Sequence, residues 1–261
     1  MCLLTPTSSR EVGVFFAAES AKTAEIYNSE IKKSPLARLQ DWERVFKVPG
    51  EAGAAYAFFG EDKLNEEKTR LYLTRHGEVV NHGVYNGQTD VDITPVGVRQ
   101  MEKLRGLLQD KPLKAVYSSD LLRTRKGAEI IGAPHGLKPE SFVEFREVNF
   151  GRWQGLTYPQ VMERYPADIP QWMNNLETFR IPEGESLADV RERAMPTLRG
   201  LIERHRGQEF LLVSHGALNR LLIAEALRLP YAHLLRIEQE YGCLNIIEYT
   251  SSWAFIKLLN G

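Results

Sequence analysis

Two histidines and two arginines stand just past apolar, strand-like runs, where cations and nucleophiles are most useful. Arg75 and His76 follow residues 70–74, Arg123 comes one helical turn after residues 115–117, and His215 follows residues 210–213. Open α/β sheets bind ligands at the carboxyl ends of their strands. Arginine's planar fork stays charged and can hold phosphate oxygens bidentately, and neutral imidazole is a good nucleophile near neutral pH. With a carboxylic acid to protonate a leaving oxygen, such a set has the parts needed to cleave a phosphate monoester without a metal. Taken singly, each has an ordinary alternative: a histidine after a strand is more often simply hydrogen bonded, and Arg123 beside Arg125 and Lys126 could be a solvated basic face.

Bringing these groups together requires alternating strands and amphipathic helices, which the chain supplies from Arg70 onward. The pattern predicts an α/β fold, a three-layer α/β/α arrangement with a mostly parallel sheet. Thr94 offers an N-cap with Pro95 at the first helical position, and Val98, Met101, Leu104 and Leu108 then share one face of a helix expected to end near Asp110. Ser118-Ser119-Asp120 are expected to cap a helix over 121–131, and Ser186 a longer one reaching His205. Residues 210–213 deliver Ser214-His215-Gly216 into a helix over 217–229, and 245–249 and 254–258 read as late strands. Residues 1–68, rich in Ala, Glu and Lys, are expected to form an N-terminal helical extension of unassigned role, helical over 17–48 with a break at Pro35; the main domain would be 69–261. In the extension, Leu36, Leu39, Trp42, Val45 and Phe46 follow helical spacing, as a face packed on the main domain would.

The 261 residues carry a net charge of -1, without the basic excess of a dedicated nucleic-acid binder. Only Cys2 and Cys243 are present, which excludes a disulfide framework and points to a reducing compartment. Arg10 and Glu11 interrupt the apolar pieces near the start, so neither a leader nor a membrane span is expected, and a cytoplasmic location is.

The runs Arg70-Leu71-Tyr72-Leu73-Thr74-Arg75-His76-Gly77-Glu78, Gly87-Gln88-Thr89-Asp90 and Ile93-Thr94-Pro95-Val96-Gly97 resemble, in order, the opening of the histidine phosphatase superfamily, also called phosphoglycerate mutase-like. Tyr117 to Arg123, Phe145 to Gly155, Gly184-Glu185-Ser186 and Val213-Ser214-His215-Gly216 continue the resemblance, which covers residues 70 to 258. It implies that His76 is the nucleophile that becomes phosphohistidine, that Arg75 and Arg123 clamp the phosphoryl oxygens, that His215 hydrogen-bonds the same group, and that Glu147 is the general acid and base. It also implies substrate contacts from Asn81, Gly87, Gln88 and Gly216, with no metal and no other cofactor. Free N–H groups at the helix start after His215 would favour an anion there. The chain departs from the family pattern at Val79, Val84 and Gln154, and Asn81 comes one place early, with His82 beside it.

Mutases of this family share a long basic, proline-rich insertion after the acid-bearing segment; here Gly155 leads directly into Leu156-Thr157-Tyr158. The resemblance therefore implies a phosphatase, similar to alpha-ribazole phosphatases and broad-specificity members, acting on a small phosphorylated metabolite. No nucleic acid or membrane partner is implied, and a homodimer is left open. The alternatives are mutase-type phosphoryl transfer and a non-catalytic phosphate-binding module.

Overall fold

The computed structural model describes residues 67–261, which fall within one compact unit, Glu66–Gly261. The helical reading of residues 17–48 and the stripe around Trp42 lie outside the described residues.

Six strands form one sheet in the order β3-β2-β4-β1-β5-β6. They are β1 (Thr69–Arg75), β2 (Leu113–Ser118), β3 (Glu140–Ser141), β4 (Glu209–Ser214), β5 (Leu244–Tyr249) and β6 (Ala254–Leu258). The pairs β1–β4, β2–β4 and β2–β3 are parallel, while β5 runs antiparallel to both β1 and β6. The helices are α1 (Pro95–Leu108), α2 (Leu122–Gly132), α3 (Tyr158–Arg164), α4 (Asp168–Asn174), α5 (Leu187–Arg204) and α6 (Gly216–Leu227).

Side chains alternate across the central strands, and that sorts them into two cores. Leu71, Leu73, Phe210 and Leu212 pack with Val190, Ala194 and Leu198 of α5 and Leu218 and Leu222 of α6. Tyr72, Leu211 and Val213 face the other way, onto Met101, Leu104 and Leu108 of α1 and Ala128 and Ile131 of α2. Helices therefore cover both faces, as expected for three layers.

Thr94 caps α1 through its side chain, which accepts from the Gly97 N–H, and Ser186 forms a capping box with Asp189 at the start of α5. The cap expected for α2 is a correction. Leu121 occupies the N-cap position, and the Leu122 N–H is taken by the Asp90 carboxylate at 2.6 Å, from the loop before α1. Asp120 instead pairs with Arg146, and Ser119 turns toward His215. The last helix starts one residue earlier and ends two residues sooner than expected, with Arg228 in the left-handed region as its C-cap.

Two backbone approaches join segments far apart in the chain. A Cβ on Gly77 would lie 2.3 Å from the Gly97 carbonyl oxygen, and one on Gly97 would lie 2.3 Å from that of Glu78. Likewise a Cβ on Gly184 would lie 2.3 Å from the Asn149 oxygen and 2.7 Å from the Gly151 nitrogen, while Gly151 itself has φ +46° against Pro182. Only glycine fits at these four positions.

Candidate active site

Parallel pairing puts the ends of β1 and β4 side by side. Arg75 is in register with Ser214, and the His76 N–H donates to the Ser214 carbonyl at 2.9 Å, so the residues that follow each strand emerge together. The His76 and His215 rings meet edge to face, 5.3 Å between centroids. Strand β2, paired with β4 on its other side, brings Ser119 and then Arg123 to the same end of the sheet.

His76 Nδ1 lies 2.8 Å from the Gly77 carbonyl oxygen. A carbonyl can only accept, so Nδ1 carries the proton and the lone pair is left on Nε2. Burial, followed by the charges of Arg123 and Arg75, holds the His76 pKa well below the ordinary histidine value, keeping the ring neutral. The Arg75 guanidinium stacks on Tyr241, 3.8 Å from the ring centroid, and donates through Nη1 to the Gln239 carbonyl at 2.7 Å. Its Nε is buried with no hydrogen-bond partner among the described residues, an unsatisfied donor of the kind found at functional sites.

Arg123 is 1% exposed. Its Nη2 donates to the Gly87 carbonyl at 2.6 Å, Nη1 to that of Thr89 at 2.8 Å, and Nε to His215 Nδ1 at 3.3 Å. Burial pushes its pKa down to about 10, against the pull of Glu147, so it stays cationic at neutral pH. Because Nδ1 of His215 accepts, Nε2 must carry the proton, and it donates to Ser119 Oγ at 2.8 Å. Ser119 Oγ is in turn 2.7 Å from Thr124 Oγ1, whose hydroxyl reaches the Leu121 carbonyl at 2.9 Å. Burial and then Arg123 keep the His215 pKa well below its ordinary value.

Glu147 crowns the start of α6. Its Oε2 accepts from the Ala217 N–H at 3.0 Å, and its Oε1 from Leu218 at 3.1 Å and Val148 at 3.0 Å. Two of the N–H groups expected to await a substrate anion, those of Ala217 and Leu218, are thus occupied by a carboxylate of the chain itself. The segment carrying Glu147 is fastened by Arg193, which donates to the carbonyls of Glu144, Arg146 and Glu147 at 2.6, 2.9 and 3.0 Å. Arg193 is held by a two-pronged pair with Glu185, whose carboxylate also accepts from the Asn149 N–H and the Gln88 amide.

These groups surround a cavity of about 240 Å³, lined by Arg75, His76, Gly87, Arg123, Glu147 and Gly216 as the sequence leads one to expect. His215 lies behind that wall, with no exposure and its only N–H spent on Ser119. Asn81 and Gln88 do not line the cavity. Asn81 is exposed and lends its carbonyl to the Asn86 amide at 2.9 Å, so Asn86 faces the cavity in its place. The Gln88 side chain reaches the Glu147 carbonyl and Glu185, while Gln154 accepts the Gln88 N–H at 2.8 Å. His82 and His233 are exposed, and His205 is buried against the Tyr117 hydroxyl. Sequence reasoning missed Arg220 and Tyr241, both cavity-lining, and the roles of Ser119 and Arg193. Arg220 could have been found from its place on α6, one turn beyond Gly216. A larger cleft of about 750 Å³, lined in part by Arg199, Arg228 and Tyr249, contains none of the catalytic candidates. Among the described residues no cluster of three or more His, Cys, Asp or Glu side chains could hold a metal, and no helix is long and apolar enough to cross a membrane.

Residues 71–261 match the family model described as histidine phosphatase superfamily (branch 1). The chain is 31% identical over 198 residues to the Adenosylcobalamin/alpha-ribazole phosphatase of Salmonella typhimurium, covering 73% of this chain and 96% of that protein. It is 33% identical over 195 residues to a Yersinia pestis protein named "Probable phosphoglycerate mutase GpmB", covering 70% and 86%. A mycobacterial glucosyl-3-phosphoglycerate phosphatase structure superposes with a TM-score of 0.67 at 25% identity, covering 74% of this chain and 99% of that one.

Proposed function

The chain belongs to the histidine phosphatase superfamily, whose members are phosphatases or mutases working through phosphohistidine, and from that premise we propose that it is a metal-independent phosphomonoesterase of small phosphorylated metabolites. The observation that carries the reading is the state of His76. Its Nδ1 proton is spent on Gly77, and its Nε2 lone pair belongs to a neutral ring in a cavity walled by Arg75 and Arg123.

A phosphate dianion enters against the two guanidiniums, and His76 Nε2 attacks phosphorus in line with the leaving oxygen. Glu147 gives that oxygen a proton, releasing the alcohol and leaving phosphohistidine. Glu147 then takes a proton from a water that attacks phosphorus, freeing inorganic phosphate and restoring the imidazole. His215 sits against Arg123 Nε and fixes that cation's orientation. The apolar wall of Val84, Tyr85, Phe150, Trp172 and Leu234 receives the leaving group. Alpha-ribazole phosphate, sugar phosphates and phosphorylated acids are the candidates, the first because of the Salmonella relative's name.

The test is turnover of a chromogenic phosphomonoester with EDTA present, together with trapping of an acid-labile phosphoenzyme. Both are expected in the wild type, and neither in His76→Ala. Labelling that survives His76→Ala would overturn the assignment. Transfer of phosphate between the hydroxyls of phosphoglycerate without release of inorganic phosphate would favour the mutase reading, which the Yersinia relative supports.

A further inference from the structure

Arg75 can hold two phosphoryl oxygens only if its guanidinium turns the right edge to the cavity. Nη1 is taken by the Gln239 carbonyl at 2.7 Å, whereas Nε and Nη2 donate to nothing among the described residues. Those two nitrogens point their N–H bonds to the same side of the planar group, so together they match two oxygens of a phosphate. A Cβ on Gly216 would lie 3.3 Å from Arg75 Nε, and glycine leaves that space clear. Which edge stays open therefore depends on where one backbone carbonyl sits.

That carbonyl belongs to a segment clasped onto the end of β1. Within residues 239–243, the Gly242 N–H donates to the His76 carbonyl at 3.2 Å and the Cys243 carbonyl accepts the Thr74 hydroxyl at 2.6 Å. The Tyr241 ring stacks on Arg75 and lies 5.6 Å from the His76 ring. The segment is anchored by the Gln239 side chain, which is 2% exposed and does not line the cavity. Gln239 Oε1 accepts from Asn245 Nδ2 and its Nε2 donates to Asn245 Oδ1, both at 2.8 Å; the Asn219 amide of α6 lies 3.0 Å from the same Oε1. Asn245, fully buried in β5, donates in turn to the Leu73 carbonyl of β1 at 3.0 Å, two residues before Arg75. Asn260 closes the cluster: its N–H donates to Asn245 Oδ1 at 2.9 Å, and its own Oδ1 accepts from the Glu240 N–H at 2.8 Å.

Covering the end of a sheet does not require such a cluster. Apolar side chains would do so without the risk of a buried amide left unpaired. What paired amides add is direction, since each bond fixes its partners in distance and angle. We infer that Gln239 is a positioning residue for the reaction: its buried amide sets the place of the carbonyl that occupies Arg75 Nη1, and so keeps the Nε and Nη2 edge aimed at the transferred phosphoryl group. This rests on the phosphatase reading and adds to it a residue that acts only through Arg75.

The test is a double-mutant cycle between Gln239→Met, which nearly keeps the side-chain volume and removes the amide, and Arg75→Ala. Two quantities are measured: kcat/KM for a chromogenic phosphomonoester, and calorimetric binding of orthovanadate, which has the shape and charge of the transferred group. In the wild-type background Gln239→Met should lower both by about ten- to hundred-fold, the range for losing one charge-assisted hydrogen bond of the pair. In the Arg75→Ala background it should change neither, because the group it positions is gone. Asn260→Ala releases the Glu240 N–H and should repeat the loss in milder form, while Asn260→Asp, which keeps an acceptor there, should restore most of it; this second route guards against a folding defect in Gln239→Met. An equal loss with and without Arg75 would make Gln239 a packing residue, as would a lower Tm with unchanged kcat/KM and vanadate affinity; either overturns the inference. Vanadate binding reads the aim of Arg75 without turnover. It therefore decides the role of Gln239 even if no phosphomonoester is hydrolysed, the result that would sink the phosphatase reading alone.

Discussion

Glu147 accepts the Ala217 N–H at 3.0 Å, so the residue proposed as the proton donor is also the cap of the helix that begins beside His215. His215 occupies the N-cap position but makes no side-chain cap bond, and Glu147 reaches across from 68 residues earlier to do so. Chemistry and helix stability are thereby joined in one carboxyl group, and the two can be separated by substitution.

Glu147→Gln keeps an acceptor for the helix start and removes the titrating proton. We expect kcat for alkyl phosphates to fall by about 10²- to 10⁴-fold, with a smaller loss on nitrophenyl phosphate, whose leaving group needs little protonation. Glu147→Ala should lose the same activity and also cost about 1 kcal/mol of stability, through the missing cap. Equal melting temperatures for the two variants would show that the cap contributes nothing.

Acid should weaken both folding and activity through the two buried imidazoles. Burial and the neighbouring arginines hold His76 and His215 well below the ordinary histidine value of about 6.5, so between that value and the folded ones the unfolded chain binds protons that the folded chain does not. The stability they contribute is complete above about pH 6.5 and is lost as pH falls through that window. His76→Ala should flatten the dependence of Tm on pH relative to the wild type. The acid limb of kcat/KM should lie below pH 6.5, where His76 is still neutral; a limb at or above the ordinary value contradicts the assignment.

Ser119 receives the only N–H of His215, and this fixes the tautomer that presents Nδ1 to Arg123. Ser119→Ala leaves a buried N–H unpaired, at a cost of about 1–3 kcal/mol, and frees the ring to adopt the other tautomer. We expect kcat to drop and its pH profile to move, with rescue by Ser119→Thr, which restores the hydroxyl. A drop in stability with an unmoved profile would assign the serine to packing alone.

The Glu185–Arg193 pair holds the backbone on which Glu147 sits. Both side chains are about one-fifth exposed. Arg193→Lys cannot satisfy three carbonyls and a carboxylate at once, so stability should fall by about 2–3 kcal/mol. A displaced acid should hurt esters of poor leaving groups most, which kinetics across a series of leaving-group pKa values would show as a steeper dependence. An unchanged slope would mean that the pair serves folding only.

Arg75, His76, Arg123 and His215 were legible as neighbours because each lies at the end of a strand or within one helical turn of it, and strands announce themselves by apolar runs between turn residues; Glu147 follows a 3-10 turn instead and was readable only through the family resemblance. Residues 115–117 and 210–213 grew by three and two residues in the structure, since the flanking residues, most of them polar, still belong to the sheet. Strand β3 left no such mark: Glu140–Ser141 is two exposed residues that pair with β2. Helix α3 did leave one, because Thr157 and Gln160 form a capping box around Pro159, a spacing readable in the sequence. The caps of α2 and α6 were not legible, since Asp90 and Glu147 act from 32 and 70 or more residues away. Asn81 and Gln88 were misplaced for a related reason: which side chains of a loop face inward depends on its ties to Arg123 and Gln154.

The glycine contacts between Gly77 and Gly97, and between Gly151 and Gly184, restrict how this molecule can change. Two facing bulky side chains can trade volume, one shrinking as the other grows. Glycines have no volume to surrender, so an added methyl at any of the four has no compensating partner. The pocket's walls are consequently hinged on positions where second-site repair is unavailable, and drift must be absorbed everywhere else.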